Sequence, residues 1–588
     1  MLVLGSEAML TKTNSRQHIL TVLLEDYFHV RAFNGLIERD KWYRFEPRFE
    51  MNTLKTLDLL DRFGIKATFF VLGWIAEKEP ELVREVARRG HEIGSRGYYH
   101  RSLDQMSSDE FRADLRRSRE ALERASGKKI IGYRAARRLT LPNDSWALDV
   151  LATEDYAYDS SVLPTFRSIR ANPANRYAYI HKVGNKELRE FPVATCGVLG
   201  FPVPILGGNY SRQLPHTVLK HLVERWHAKV DSPLVMYFHV WELDPEQPKI
   251  NGASQLTRLR HYRGLDKMGW LLEEYFTKYR FSTFADYMGL RDDQEKESEI
   301  EPSIATGAAI APNVSRIARQ PSEHNIPSAI TIVVPCFNEE STLQYLSNTL
   351  RSVLEWMSER FEVNLLFVDD CSTDKTRASL NELFGEWRNC AIISHDVNRG
   401  VAAAILTGIA NSGTEIVCSI DCDCTYDPHE LREMIPKLVP GVDLVTASPY
   451  HPLGQVRNVP GWRLALSRTS SWLYSKVLRQ KLFTYTSCFR VYRKSVVERL
   501  QLTENGFLGV AEMVGRLDLQ GSKIVEHPAT LEVRLFGHSK MKTLKTIAGH
   551  LGLLSRLLSI RLRQSISGDG LDSKQAEKIG ASSHLTLK

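Results

Sequence analysis

The 588-residue sequence predicts an α/β protein of two domains, each built around a largely parallel sheet. Three observations predict it. Short apolar runs that end in polar or acidic residues alternate with runs of helical apolar spacing. The alternation occurs twice, over residues 18–290 and again over 329–545. Between the two, residues 291–328 change to a charge run, RDDQEKESEIEP, and then to a small, polar, proline-containing stretch that reads as an interdomain linker.

Composition narrows the class. Hydrophobic residues make up 43% of the chain and charged residues 25%, the proportions of ordinary globular protein. A formal charge of +7 is modest for this length. It permits attraction to phosphates or to an anionic membrane surface and gives no reason to expect a nucleic-acid partner. Eight cysteines are too few for a disulfide scaffold. Cys418, Cys422 and Cys424 crowd one strand and turn, but no second paired cluster at zinc-like spacing accompanies them, so they read as buried thiols. No charged-then-apolar signal opens the chain and no apolar run reaches bilayer length, so a cytoplasmic protein is expected.

In the first half, residues 1–17 are polar and expected to be flexible. The strand-like ILTVLL runs into Glu25-Asp26 and Tyr27-Phe28-His29. A helix, MNTLKTLDLLDRFG, closes at Gly64, and KATFFVLG, PELVREVARRG and HEIGSRG follow as strand, helix and strand. The pattern continues through YRAARRLT, YAYDSSV and PLVMYFHVWELDPEQP to about Tyr287, predicting a parallel sheet or an α/β barrel.

The separated segments KATFFVLGWIAEKEPELVREVARRGHEIGSRGYYH, GYRA, YDSSVLP, EFPV and YFHVWELDPEQP resemble the NodB-homology polysaccharide deacetylases, closest to the subgroup found with bacterial exopolysaccharide genes. The resemblance implies a distorted (β/α) barrel in which an acidic residue and two histidines hold a divalent metal and a second Asp is the general base. The metal would lower the pKa of bound water and polarise the amide. This sequence departs from that pattern. Leu23 stands where the family has an Asp, and Arg96 and His100 stand where it has a His-x-x-x-His pair. Of the expected pocket, Glu25, Asp26, His100, Arg134, Asp159 and His239 remain. A guanidinium cannot ligate a cation but can pair with Glu25 or Asp26. The expectation is a degenerate pocket without a metal, in a domain that has lost hydrolysis.

The second half opens with ITIVVPCFNEE, a buried strand leading through Pro335 to a helix near Ser341. FEVNLLFVDDCSTDKT repeats the form, ending in Asp369-Asp370 with Ser372 and Thr373 placed to cap a helix. NCAIISHD leads to Asn398-Arg399-Gly400 and the helix VAAAILTGIANSG. In SIDCDCTYDP, residues 415–420 read as a buried strand with Asp421 and Asp423 at its carboxyl end. Strand alternation would point both carboxylates into one crevice, where two oxygen ligands suit a divalent cation completed by substrate phosphates. Turn or cap residues are the plainer reading of such a pair.

VVPCFNEE, VDDCSTD, NRG and DCDCTYDP together resemble glycosyltransferase family 2 in its Rossmann-like GT-A fold, nearest to the polyprenyl- or dolichol-phosphate sugar synthases. The resemblance implies that Pro335, Asn338, Glu339, Asp369, Asp370, Arg399 and Asp421 lie along a nucleotide-sugar donor. Asp421 and Asp423 would hold Mg²⁺ or Mn²⁺, with Asp423 and Glu512 catalytic. TYTSCFRVYRK and RLFGHSKMK place Arg490, Arg534, Ser539 and Lys540 at the phosphate of a lipid-phosphate or glycan acceptor. For Arg490 and Glu512 a structural ion pair is the alternative. The processive members' Gln-x-x-Arg-Trp segment and spanning helices are missing, which favours transfer of a single sugar.

The stretch from Met541 to Arg563 has helical apolar spacing with Lys and Arg between. It suits either a peripheral membrane contact at the inner face or packing on its own protein, and residues beyond it read as disordered. The expected activity is metal-dependent sugar transfer in envelope or exopolysaccharide synthesis. A bifunctional deacetylase–transferase and a non-catalytic assembly factor are the rivals.

Overall fold

The computed structural model describes residues 16–198, 201–290, 329–537 and 547–564. These fall into two compact units, one largely from residues 16–290 and the other largely from 329–564. The expected linker, 291–328, and the segments 1–15 and 565–588 lie outside the described residues.

In the first unit the largely apolar strand β1 (Gln17–Leu24) is buried from His18 onward. Parallel neighbours flank it: β2 (Thr68–Val71) on one side, and β10 (Val235–His239) and β11 (Arg280–Ser282) on the other. The ladder continues from β2 through β3 (Glu92–Ser95), β4 (Gly132–Tyr133) and β5 (Tyr158–Asp159) to β7 (Lys186–Glu190), which pairs antiparallel with β6 (Tyr179–Val183). The parallel run therefore ends in a hairpin, and β10 and β6 stand at the two ends of the path. The strands β4 and β5 are only two residues each and lie within the path, between β3 and β7.

Helices cover the sheet as the apolar spacing requires. The longest, Ser108–Ser126, starts with a capping box between Ser107 and Glu110 and ends at Gly127. The helix Phe49–Arg62 is capped from a distance: Asp26 accepts hydrogen bonds from the Arg48 N–H (2.6 Å) and the Phe49 N–H (3.0 Å).

Two buried histidines tie the strand ends together as acceptors. His18 Nδ1 accepts from the Leu234 N–H (3.1 Å), and His29 Nδ1 from the Asp26 N–H (3.0 Å). Burial pushes His18 down to about 4 and His29 down to about 3. Both remain neutral in the fold, whereas the unfolded chain protonates them near pH 6.5. Stability is therefore lost as pH falls below 6.5, at about 1.4 kcal/mol per pH unit for each. Urea denaturation at pH 6.5 and 5.5 is expected to show a loss of about 2 kcal/mol from the pair, since each unfolded ring is only half protonated at the start of that interval. A pH-independent midpoint would mean that both rings ionise in place.

The second unit is a seven-stranded sheet in the order β14-β13-β12-β15-β18-β16-β19, the last strand being Ile524–Pro528. Its parallel half comprises β12 (Ala329–Cys336), β13 (Glu362–Asp369), β14 (Cys390–Ser394) and β15 (Ile416–Ser419). The order reverses at β12, so a crevice opens at the carboxyl ends of β12, β13 and β15. The strand β18 (Arg490–Arg493) then pairs antiparallel with both β15 and β16 (Leu444–Ser448). The helix over 547–564 buries Leu553, Leu554 and Leu557 in the same core as Val514 and Leu517 of the helix Phe507–Leu519. Its apolar stripe thus packs on its own unit, leaving Leu551, Leu558 and Leu562 exposed. Among the described residues no helix is long and apolar enough to cross a membrane.

Candidate functional site

The crevice of the second unit is built by tight turns after each strand. Cys336 lies in register with Asp369, and the Asp370 N–H donates to the Cys336 carbonyl (2.8 Å). Asn338 takes a left-handed φ of +52°. Its side-chain oxygen accepts from the Thr373 N–H (2.7 Å), joining the turns after β12 and β13. Pro335 is the penultimate residue of β12, opposite Val368. Asp369 is buried and accepts from the Ser372 N–H (3.2 Å).

Asp370 faces the other way. It accepts from the backbone N–H groups of Arg399 (2.8 Å) and Gly400 (2.7 Å) and lies 2.7 Å from His395 Nδ1. Gly400 has φ +95°, and a Cβ there would come within 2.7 Å of the Asn505 carbonyl oxygen and the Gly506 Cα. Asp370 therefore fixes the Asn398–Gly400 loop, while the Arg399 side chain is exposed with no carboxylate partner among the described residues. His395, which also lies 2.9 Å from Thr407 Oγ1, escaped the sequence reading. Its place just past a strand end, after Ser394, was the available signal.

Asp421 and Asp423 come together, though not by strand alternation. The strand stops at Ser419, and the pair occupies a turn closed by Cys424 at φ +52°, with the Cys424 N–H donating to the Asp421 carbonyl (3.3 Å). Burial, then the neighbouring Asp423 carboxylate, pushes Asp421 up to about 7, and the Cys488 thiol donates to it. Arg534 Nε lies 3.3 Å from Asp423 Oδ2, and the same guanidinium pairs with Glu339. Three carboxylates, Asp421, Asp423 and Glu339, and the cation of Arg534 thus meet from three loops at one strand end. Ser539 and Lys540 lie outside the described residues.

Two expected residues serve the scaffold. Arg490 is fully buried in β18 and donates to the carbonyls of Val510 (2.9 Å) and Tyr485 (3.0 Å), so it does not present itself to a phosphate. Glu512 is buried in the helix Phe507–Leu519. It accepts from the Thr503 hydroxyl (2.8 Å), the Glu504 N–H (2.8 Å) and Arg516 Nε (2.7 Å). Burial alone would raise its carboxyl, but these donors hold it below the usual range. Ionised and fully engaged, it is not a free base. Glu512→Ala is expected to lower stability by about 3 kcal/mol, stranding several buried donors, and to leave the KM for donor unchanged. Denaturation curves beside steady-state kinetics check this; lost turnover at wild-type stability would return Glu512 to the chemistry.

In the first unit, Glu25 lies at the end of β1 beneath a cavity of about 390 Å³. Arg96 Nε donates to it at 2.7 Å, His100 Nε2 lies 3.0 Å away and His239 Nδ1 2.6 Å away. Burial would raise its carboxyl, but Arg96 and the two imidazoles hold it well below the usual range. Asp26 does not join this cluster; its oxygens cap the helix Phe49–Arg62 instead, and His29 takes its backbone N–H. Arg134 and His239 do line the cavity, as does Arg138, which with Ala136 and Arg137 stands in place of the family's usual proline-containing sequence; Arg212 and Trp241, which the sequence reading passed over, line it too. Among the described residues, no group of three or more His, Cys, Asp and Glu is arranged to hold a metal ion.

Comparison with known proteins matches three segments of the chain. Residues 331–501 match glycosyl transferase family 2, residues 40–148 match polysaccharide deacetylase, and residues 160–289 match a domain of unknown function, DUF3473. Over 217 residues the chain is 29% identical to a polyprenol monophosphomannose synthase of Mycolicibacterium smegmatis, covering 36% of this chain and 80% of the relative. It is 26% identical to a dolichol-phosphate mannosyltransferase of Pyrococcus furiosus, covering 39% of this chain and 63% of the relative. The solved glucosyl-3-phosphoglycerate synthase of Mycobacterium tuberculosis aligns with 40% of this chain and 79% of its own at 20% identity, with a TM-score of 0.31.

Proposed function

We propose that this chain, which carries a glycosyltransferase family 2 domain behind a polysaccharide deacetylase domain, moves a single sugar from a nucleotide sugar to a polyprenyl phosphate. The observation that carries the reading is the Asp421–Asp423 pair under Arg534. Two adjacent carboxylates, one held protonated to about pH 7 by burial and by the other, form a donor set that favours a hard dication. Asp421 and Asp423 would hold Mg²⁺ or Mn²⁺, which when bound supplies charge neutralisation of the departing diphosphate. Arg534, paired here with Glu339 and Asp423, would face the phosphates, and the Asp370-braced loop would orient the donor. A phosphate acceptor is already an anion and needs no general base, in keeping with the engagement of Glu512.

An apolar groove in the second unit supports a lipid acceptor. Trp462, Leu466, Leu473, Phe507 and Leu551 line an apolar groove of about 180 Å³. Thr486 lines it too, two residues before the Cys488 that touches Asp421. The two named relatives act through polyprenol and dolichol phosphates, which supports the same acceptor class here. The deacetylase-like unit, in this reading, does not hydrolyse amides. The metal that its family implies does not fit: Arg96 brings a fixed positive charge against the one acidic ligand, Glu25.

A thermal-shift series of nucleoside diphosphates with and without Mn²⁺ tests the transferase reading. A ligand at a hundredfold its Kd adds about 2.7 kcal/mol, so one diphosphate is expected to raise the second unit's transition only with metal present. Failure of every diphosphate, followed by no labelled sugar on polyprenyl phosphate, would refute it.

A further inference from the structure

The cavity above Glu25 carries more positive charge than its own structure uses. Six arginines line it, Arg31, Arg96, Arg134, Arg138, Arg212 and Arg260, against two carboxylates, Glu25 and Glu242. Those two are already taken: Glu25 by Arg96 at 2.7 Å and Glu242 by Arg212 at 2.6 Å. Among the described residues neither Arg134 nor Arg138 forms a direct ion pair with a carboxylate, and only Arg134 feels buried acids, Asp159 and Glu190, from further off. Arg134 is buried, donates to Ser160 Oγ (3.1 Å) and sits 4.4 Å from the centroid of the Tyr237 ring. Arg138 donates to the Tyr237 hydroxyl, with its guanidinium 5.2 Å from the Tyr210 ring. Two guanidiniums are thus oriented around one tyrosine at the wall of a cavity.

Desolvated cations without counter-ions are unfavourable unless an anion arrives to satisfy them. The guanidinium fork matches carboxylate and phosphate oxygens, and the remaining N–H groups of both residues point to a planar or tetrahedral oxyanion. Tyr237 and Trp241 also line the cavity, and about 390 Å³ falls within the range of small-molecule sites, about 300–1,000 Å³.

We propose that this cavity binds an acidic sugar, a glycan unit bearing a carboxylate or a phosphate, with Arg134 and Arg138 holding the oxyanion. The proposal rests on the reading of this unit as non-hydrolytic, which metal analysis and acetate release on the same preparation test separately.

The test is calorimetric titration of the full chain with glucuronate, glucose 6-phosphate, glucose and inorganic phosphate. At least one acidic sugar is expected to bind more tightly than both glucose and inorganic phosphate, and the stronger of glucuronate and glucose 6-phosphate identifies the oxyanion. Arg138→Gln, at a half-buried position, is expected to weaken that binding roughly tenfold or more, as is Arg134→Gln where it folds. Asp423→Asn, in the other unit, is expected to leave it unchanged. Equal binding of glucose, equal binding of inorganic phosphate, or no binding of either acidic sugar would overturn the proposal. So would binding that survives Arg138→Gln and is lost in Asp423→Asn.

Discussion

Asp423→Asn is expected to reduce metal-dependent sugar transfer by about 10²–10³-fold, the several kcal/mol that a charge-neutralising cation contributes at a diphosphate leaving group. The substitution keeps the side chain's size and its acceptor oxygen toward the Thr425 N–H, 3.1 Å away, so the turn should survive. It removes one of two adjacent negative charges. Asp421, relieved of its neighbour, should then titrate closer to an ordinary carboxylate than the value near 7 it has beside Asp423. Metal titrations of activity, with circular dichroism to verify the fold, are the measurement. Wild-type turnover in Asp423→Asn at saturating Mn²⁺ would remove the metal pair from the mechanism.

The second large effect concerns stability. Arg96→Ala leaves Glu25 buried beneath the cavity with only imidazoles for company, and stranding one partner of a buried ion pair costs about 3–5 kcal/mol. At about 2–4 °C per kcal/mol for a domain of this size, the first unit's transition should fall by roughly 6–20 °C. The double variant Glu25→Gln/Arg96→Met, which removes both charges, should recover most of the loss. Calorimetry of the three proteins separates the outcomes: an unchanged transition in Arg96→Ala would show that His100 and His239 carry the compensation alone.

Much of the architecture was legible because its signals are local. Apolar runs such as ILTVLL and ITIVVPC ended in the strands β1 and β12, and Gly64, at φ +63°, stopped the helix where expected. The clustering of strand ends was legible too, since alternating strand and helix fixes where the carboxyl ends of a parallel sheet gather. Side-chain roles were less so. Asp369-Asp370 reads as one motif, yet Asp370 turns to the Arg399 and Gly400 amides while Asp369 stays with Ser372. Asp26 and Glu512 looked chemical because acids near a site do, whereas tertiary contacts that no spacing encodes gave both to backbone N–H groups. Asp421 and Asp423 met as foreseen, but through a left-handed Cys424 and not through pleat alternation.

The leucines at 553, 554 and 557 bear on where the catalytic half can be cut. The family match stops at residue 501, before the helix Phe507–Leu519 has begun, and the last of its cover arrives some fifty residues later. An expression product trimmed to the matched boundary would present Val417 and Leu444 to water without the lid that native chains place over them. Such a fragment should come out of the cell as inclusion bodies, whereas one carried through residue 564 should stay in the supernatant.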